Sequence, residues 1–359
     1  MKVLIVGQGL AGTLAGYRFE RAGGHTVHYI DAPEQTAASS VAAGIINPIT
    51  GRRFVKSWKI DELLPEALSL YAELAELLGK DYWHPQPLIR TLYNRGDMND
   101  WQVRTADPGY QNYMEDRGEP GRITELTEPV FAYAGVRHAG RVDVAGLVAD
   151  YRAWLTQEGR VTATIFDYGW VPELLGGIAP SGHLPLPLSP PYQKIIFCEG
   201  WRSRGNPYFS WLGHTGNKGE VLIIRTEAPV LDRMFKHRVF LVPFGLDTYW
   251  VGATSENRFD NDAPSGNNGQ FLRDRLAEVL TVPYEIVEHR AAVRPTSKDR
   301  RMMIGTHPAD ERLAVFNGLG TKGASLGPLG SKWLFELLVS GKQLLSEVDI
   351  ARFSKPSGL

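Results

Sequence analysis

A single cysteine, Cys198, serves all 359 residues. That excludes an intramolecular disulfide and leads us to expect a reducing, cytoplasmic compartment. Cys198 lies in an apolar run, the setting of a small buried hydrophobe rather than a nucleophile. Net charge is scarce as well: 39 Lys and Arg stand against 40 Asp and Glu, leaving −1 at pH 7. Nothing global therefore argues for nucleic acid or an anionic membrane as partner. No uninterrupted apolar run approaches a membrane span, and the apolar start lacks the small-residue cleavage site of a signal peptide. Internal repeats and low-complexity segments are missing too. The 9 histidines are scattered without ligand spacing, so no metal site is expected, and His28 and His237 on strands read as structural.

What is present is an ordinary globular composition, 43% hydrophobic and 22% charged, on a chain long enough for two domains. Residues 1–31 organise it. Segment 3–6, VLIV, has the doubly apolar make-up of a parallel strand buried on both faces. Gly7, Gly9 and Gly12 follow as G-x-G-x-x-G. The first glycine permits a tight turn, the second lets a pyrophosphate approach the backbone, and the third lets helix and strand pack closely. A helix running to about Ala22 would turn its free N–H groups toward the phosphates. A second apolar run, 27–30, ends in Asp31, about twenty residues past Gly12, where a carboxylate can accept hydrogen bonds from an adenosine ribose. Strand, glycines, helix, strand and terminal acid in that order predict a dinucleotide site.

Residues 36–59 form a small-residue loop without a regular period. Ser39, Ser40 and Gly44 there are small enough to lie against a flat ligand, and Arg52, Arg53, Lys56 and Lys59 make either a functional positive patch or a solvated face. An amphipathic helix is expected over 61–78, ended by Gly79. Residues 80–134 look like a separate module with a short strand at Leu88–Leu92. Its aromatics Tyr82, Trp83, Tyr93, Trp101 and Tyr110 read as core before they read as a pocket lining. Next we expect a helix over 144–157, a Gly- and Pro-rich loop over 172–191, and a buried strand over 194–198 that leads to Glu199-Gly200-Trp201. Strands near 219–225, 239–242 and 248–253 suggest a hairpin-built sheet, followed by a helix over 270–280. A strand over 313–316 then enters a second glycine-rich turn, 317–328, which opens a final helix at Leu329. Such a helix N-terminus offers positive dipole and free N–H groups to another part of the ligand.

Six segments in this order carry a resemblance: the G-x-G-x-x-G with Asp31, the loop SSVAAG at 39–44, and Cys198-Glu199-Gly200-Trp201-Arg202-Ser203; then the pair around Val242-Pro243 and Val251-Gly252-Ala253-Thr254, Arg294-Pro295 with Asp299 and Ile304-Gly305, and 318–328. Together they resemble the D-amino-acid oxidase-like FAD-dependent oxidoreductases. That family includes glycine oxidase, sarcosine oxidase and the flavin domain of a tRNA wobble-uridine modification enzyme. The resemblance implies an α/β architecture with a Rossmann-like FAD-binding domain from 1–60, 136–219 and 286–359. An inserted α+β substrate domain with a mixed or antiparallel β-sheet would come from 61–135 and 220–285. Bound FAD would be noncovalent, because no cysteine stands near the C-terminal turn or the 39–58 loop. By the same resemblance Gly7, Gly9 and Gly12 hold the pyrophosphate and Asp31 the ribose. Ser39, Ser40 and Gly44 would lie between pyrophosphate and flavin, Gly200 and Trp201 on the ribityl side, and Gly318, Gly320, Thr321, Lys322 and Gly323 under the flavin pyrimidine.

Arg294 matches the family arginine that holds a substrate carboxylate, a task that suits a planar, two-pronged guanidinium. A structural ion pair is the plainer alternative. Lys322 would stabilise reduced flavin or assist oxygen, or else face solvent. Phe240 departs from the family, standing where some members have a substrate-binding tyrosine. The implied reaction oxidises the C–N bond of a small amine or amino acid, with hydride passing to flavin N5. It needs orientation and desolvation more than a strong acid or base. Two other readings stay open. One is a flavin-dependent enzyme acting on a modified-uridine side chain in tRNA, with Arg52, Arg53, Lys56, Arg290, Arg294, Lys298, Arg300 and Arg301 as a phosphate-contacting rim. The other is a flavin-binding protein without turnover. A nicotinamide dehydrogenase is disfavoured, because the second glycine turn would have no role in it. The sequence leaves the oligomeric state open.

Overall fold

The apolar run at the N-terminus becomes the middle of a sheet. In the computed structural model, which describes residues 1–32, 36–177, 184, 185, 187–227 and 231–353, β1 (Lys2–Val6) leads through α1 (Leu10–Ala22) to β2 (Thr26–Asp31), α2 (Ala38–Val41) and α3 (Ile60–Leu78). Next come β3 (Leu88–Leu92), α4 (Arg95–Ala106), β4 (Met114–Glu115), β5 (Ala132–Val136), α5 (Val144–Gln157) and β6 (Val161–Ala163). The second half holds β7 (Lys194–Phe197), β8 (His214–Thr226), β9 (Met234–Lys236), β10 (Phe240–Pro243), β11 (Thr248–Gly252) and α6 (Gly266–Ala277). It closes with β12 (Tyr284–Ser297), β13 (Met303–His307), β14 (Asp310–Asn317) and α7 (Gly323–Ser340).

Six strands form one sheet in the order β6-β2-β1-β7-β14-β13. Every pair is parallel except β13 with β14. Val3, Leu4 and Ile5 have no exposure at all, as a strand covered on both faces requires. Val3 and Ile5 join the core under α1, α3 and α7, whereas Leu4 and Val6 face the cluster around Phe197 and Phe209. The other large sheet runs β12-β8-β11-β10-β9-β3-β5-β4. It is antiparallel apart from the parallel pair β9 with β3. The expected pairing of an α/β dinucleotide fold with a mixed, largely antiparallel second sheet is what the chain builds.

Several elements differ from the sequence reading. Segment 36–59 is not all loop: it contains α2 and the short strands Ile45–Ile46, Ile49–Thr50 and Val55–Lys56. Within the expected 172–191 loop, Val171–Leu174 is a helical turn, while 178–183 and 186 lie outside the described residues. Helix α4 had no amphipathic signal because Trp101 and Thr105 are its only buried residues. Strand β12 passes straight through Pro295, which is tolerated because β12 is an edge strand. Helix α6 starts at Gly266, where the Ser265 hydroxyl accepts the Asn268 amide. The division lines at 219/220 and 285/286 run through β8 and β12, and α3, assigned by sequence to the substrate half, packs against α7.

The final helix begins at Gly323 and carries Pro328 inside it, six residues ahead of the expected start. Proline brings no N–H to the Ala324 carbonyl one turn back. The Tyr71 hydroxyl of α3 donates there instead, at 2.8 Å. Close by, the Arg18 guanidinium of α1 donates to the Pro328 carbonyl at 2.9 Å and pairs with Glu66 of α3 at 2.5 Å. These contacts seat the three helices on one face of the parallel sheet.

Candidate active site

A cavity of about 850 Å³ opens where the C-terminal ends of β1, β2, β7 and β14 face the other large sheet. In an open parallel sheet that edge, where the strand order reverses between β1 and β7, is where ligands bind. At its first end Gly7 turns the chain with φ +94°, and its N–H donates to the Ile30 carbonyl at 2.8 Å. A Cβ on Gly7 would lie 2.6 Å from the Cys198 carbonyl oxygen, and one on Gly12 would lie 1.9 Å from the Gly7 carbonyl oxygen. Only glycine lets α1 approach β1 so closely. Gly12 therefore sits behind the wall, while Gly9, Leu10 and Ala11 line the cavity with the amino end of α1. Here the Leu10 N–H donates to the Ser39 hydroxyl at 3.0 Å.

Asp31 lines the same end. One carboxylate oxygen accepts the Gln8 N–H at 3.1 Å and the other pairs with Arg152 of α5, which also donates to the Gln8 side-chain carbonyl at 3.2 Å. Sequence reasoning missed Arg152, since nothing in its local pattern separates it from the polar face of a helix. Ser40 and Gly44 complete this stretch: the Ser40 hydroxyl donates to the Ala37 carbonyl at 2.8 Å, and a Cβ on Gly44 would lie 1.9 Å from the Val142 carbonyl oxygen.

Toward the middle, Gly200 and Trp201 line the cavity beside β14. The Asn317 amide donates to the Gly200 carbonyl at 2.9 Å and to the Ser203 hydroxyl at 2.8 Å, tying the ends of β7 and β14 together. Gly318 stands off the wall, where a Cβ would lie 3.0 Å from the Arg301 carbonyl oxygen. Gly320, Thr321, Lys322 and Gly323 do line it, and the Gly320 N–H donates to the Pro295 carbonyl at 2.8 Å. Lys322 faces inward, donating to the Ser57 hydroxyl at 3.3 Å. Burial, and then the Arg301 charge, hold its ammonium below the usual lysine range.

The far wall belongs to the second sheet. Arg294 on β12 lies flat against Gly219 of β8, where a Cβ would be 2.0 Å from a guanidinium nitrogen. It donates to the Asn217 side-chain carbonyl at 2.7 Å and to the Thr254 main-chain carbonyl at 3.2 Å. Among the described residues it has no acidic partner, so the ion-pair alternative does not hold, and burial lowers its pKa. Phe240 and Trp250 extend this wall, the Trp250 indole N–H donating to the Val41 carbonyl at 2.9 Å. Lys236, which the sequence did not mark, lines the cavity beyond Phe240.

Cys198 borders the cavity, whereas the aromatics of 80–134 and the rest of the basic rim fall outside it. Cys198 is buried with its thiol pushed up, chiefly by burial. Tyr82 and Trp101 are core, with no exposure. Of the basic rim, Arg52, Arg53, Lys298 and Arg300 are exposed. Lys56 pairs with Asp61 at 2.7 Å, Arg290 with Glu288 at 2.5 Å and Arg301 with Glu347 at 3.2 Å. Among the described residues no cluster of acids, histidines and cysteine is arranged to hold a metal, and no helix is long and apolar enough to cross a membrane.

A model of the FAD dependent oxidoreductase family (DAO) matches residues 2–337. The chain belongs to that family. Its likeness in fold extends to glycine oxidase from Geobacillus kaustophilus, with a TM-score of 0.76 at 23% identity over 98% of this chain and 97% of that one. An iminodiacetate oxidase from a Chelativorans species gives 0.72 at 20% identity, over 98% of each chain. An L-amino acid deaminase from Proteus vulgaris, lacking its specific insertion, gives 0.72 at 14% identity over 98% and 93%. FAD is the cofactor of this family, and the residues present fit it. Close glycine packing leaves the α1 amides facing the cavity, and the amino end of α7 faces it from the opposite strand.

Proposed function

We propose that this FAD-dependent oxidoreductase oxidises the C–N bond of a small amino acid or carboxylate-bearing amine. The observation that carries the reading is Arg294: a partly buried guanidinium on the cavity wall, held by neutral oxygens and lacking any acidic partner among the described residues. A partly desolvated cation without a counter-charge is unfavourable, and a carboxylate from the ligand offsets it with a two-pronged hydrogen bond. The neighbours' names, glycine oxidase, iminodiacetate oxidase and L-amino acid deaminase, support the same substrate class.

In this reading Gly7, Gly9 and Gly12 shape the pyrophosphate site and Asp31 with Arg152 the ribose end. Ser39, Ser40 and Gly44 flank the middle of the cofactor, Gly200 and Trp201 its ribityl side, and 320–323 its pyrimidine edge, with Gly318 behind them. The cofactor half is drawn from 1–60, the part of 136–219 before β8 and the part of the chain after β12, and the substrate half from 61–135 and 220–285 together with the whole of β8 and β12, α3 serving as a brace between them. FAD, when bound, supplies a hydride acceptor at N5 for the carbon beside the substrate nitrogen. Arg294 fixes the carboxylate, and with it the orientation of that carbon. Phe240 and Trp250 exclude water from the reacting face. The Lys322 ammonium, beside the amino end of α7, favours negative charge at the pyrimidine edge. The lone buried thiol supports a cytoplasmic setting.

The test is the visible spectrum of the purified protein, followed by anaerobic addition of amino acids and amines. We expect a two-band yellow spectrum, flavin released by heat, and bleaching by a carboxylate-bearing amine but not by the matching amine without the carboxylate. Flavin that no amine bleaches would mean a binding protein without turnover. A colourless protein that refuses added FAD would remove the reading altogether.

A further inference from the structure

Two cations stand in register on neighbouring strands of the second sheet. Lys236 ends β9 in register with Phe240 of β10 on one side and with Arg90 of β3 on the other. Its ammonium lies 4.7 Å from the Phe240 ring centre and donates to the Arg238 carbonyl at 3.0 Å. Arg90 packs 4.4 Å from the Phe54 ring centre and reaches only the Gly51 carbonyl, at 3.4 Å, while its Nε has no partner. Among the described residues neither forms an ion pair, and the carboxylate that acts on Arg90, Asp97, stands beyond ion-pair distance. Burial, then the Arg90 charge, brings Lys236 down to about 8, and burial brings Arg90 down to about 10. Two partly desolvated like charges on paired strands are unfavourable unless something negative joins them. Lys236, not Arg90, opens onto the cavity.

We propose that Lys236 is a second anion anchor, so that the substrate is an amino acid with another acidic group at the end remote from its reacting carbon. This rests on the amine-oxidation reading above. In that reading the FAD pyrophosphate is taken up by the glycine turn at the edge of the parallel sheet, so it does not neutralise a lysine on the opposite sheet. Nor is one substrate carboxylate shared by both cations. Arg294 on β12 and Lys236 on β9 are separated by β8, β11 and β10, about 19 Å of sheet at ~4.8 Å per strand spacing. Their long side chains reach into the same cavity from its two sides. Phe240 gives the ammonium an apolar seat with a favourable π face and no hydroxyl to compete for the ligand.

The experiment uses flavin-loaded protein and matched pairs of amines: sarcosine with iminodiacetate, norvaline with glutamate, norleucine with α-aminoadipate. We expect the acidic member of at least one pair to reduce the flavin about 30-fold more efficiently in the wild type, the range of a hydrogen bond to a charged group. Lys236→Met should erase that preference while leaving the neutral member nearly unchanged, and Lys236→Arg should keep most of it. Arg294→Met should weaken both members. Calorimetric titration with succinate and glutarate checks the anchor without turnover. Loss of dicarboxylate binding in Lys236→Met supports it even where no amine bleaches the flavin, an outcome that overturns the amine reading alone. Neutral members equal to acidic ones in the wild type, or an unaltered preference and unaltered dicarboxylate binding in Lys236→Met, overturn the inference while leaving amine oxidation standing.

Discussion

At the scale of single residues the site is built from positions that refuse a side chain and positions that lack a partner. Gly12 is of the first kind, since any Cβ there falls 1.9 Å from a backbone oxygen. Gly12→Ala has to push α1 off β1, a strain of about 1–3 kcal/mol, and it moves the amides that face the cavity. We expect a lower unfolding temperature and substoichiometric flavin, read from the ratio of visible to ultraviolet absorbance. Gly205→Ala, with open space around the added carbon, is the control and should retain full flavin. Arg294 is of the second kind. Arg294→Met should keep flavin and lose about 10- to 100-fold in the efficiency of anaerobic reduction by carboxylate-bearing amines, the equivalent of ~1.5–3 kcal/mol for a hydrogen bond to a charged group. Wild-type reduction rates in that variant would sink its assignment. The glycines and Arg294 were legible because glycine spacing and a motif carry them along the chain. Arg152 and Lys236 were not, because a cation's role depends on what stands opposite it in space.

At the scale of elements the sequence reading succeeded where a periodic pattern was strong and failed where tertiary contacts override it. β1, α1, β2, α3, α5 and β7 are in place because their apolar residues repeat at strand or helix spacing. The start of α7 was misplaced by six residues because Gly323, Gly327 and Pro328 read as a turn. Packing makes that glycine-rich start helical: a Cβ on Gly327 would meet Leu14 of α1 at 2.7 Å, and the Ala324 carbonyl that Pro328 leaves free is met by Tyr71. The consequence is measurable. Tyr71→Phe keeps the ring but leaves a buried carbonyl without a donor, which costs about 1–3 kcal/mol. We expect the unfolding midpoint in urea to fall with an unchanged slope, because the surface exposed on unfolding is unchanged. A midpoint equal to that of the wild type would show that water or a shifted helix meets the carbonyl instead.

At the scale of the whole molecule the two large sheets share one cavity, and the chain crosses between them at a histidine. His214 opens β8, with eight residues between it and the Gly200–Gly205 turn that follows β7. Its Nδ1 lies 3.1 Å from the Ser203 hydroxyl, the group that also receives the Asn317 amide from β14. Burial pushes its imidazole down to about 4, against a smaller opposing effect of a backbone hydrogen bond at Phe209. Above pH 6.5 the ring is neutral in both folded and unfolded chains and contributes no pH dependence. As pH falls from 6.5 toward 4, the unfolded chain takes up a proton that the fold refuses, so stability drops, by something on the order of 3 kcal/mol in all. Below 4 both forms are charged and the loss is complete. Because Gly200 and Trp201 line the cavity, loosening this crossing also loosens the grip on the cofactor. We therefore expect flavin fluorescence to rise, and the unfolding temperature to fall, through that acid window. His214→Gln, which offers an amide at the same place but cannot titrate, should flatten both curves relative to the wild type, and identical acid profiles in the two proteins would place the sensitivity elsewhere.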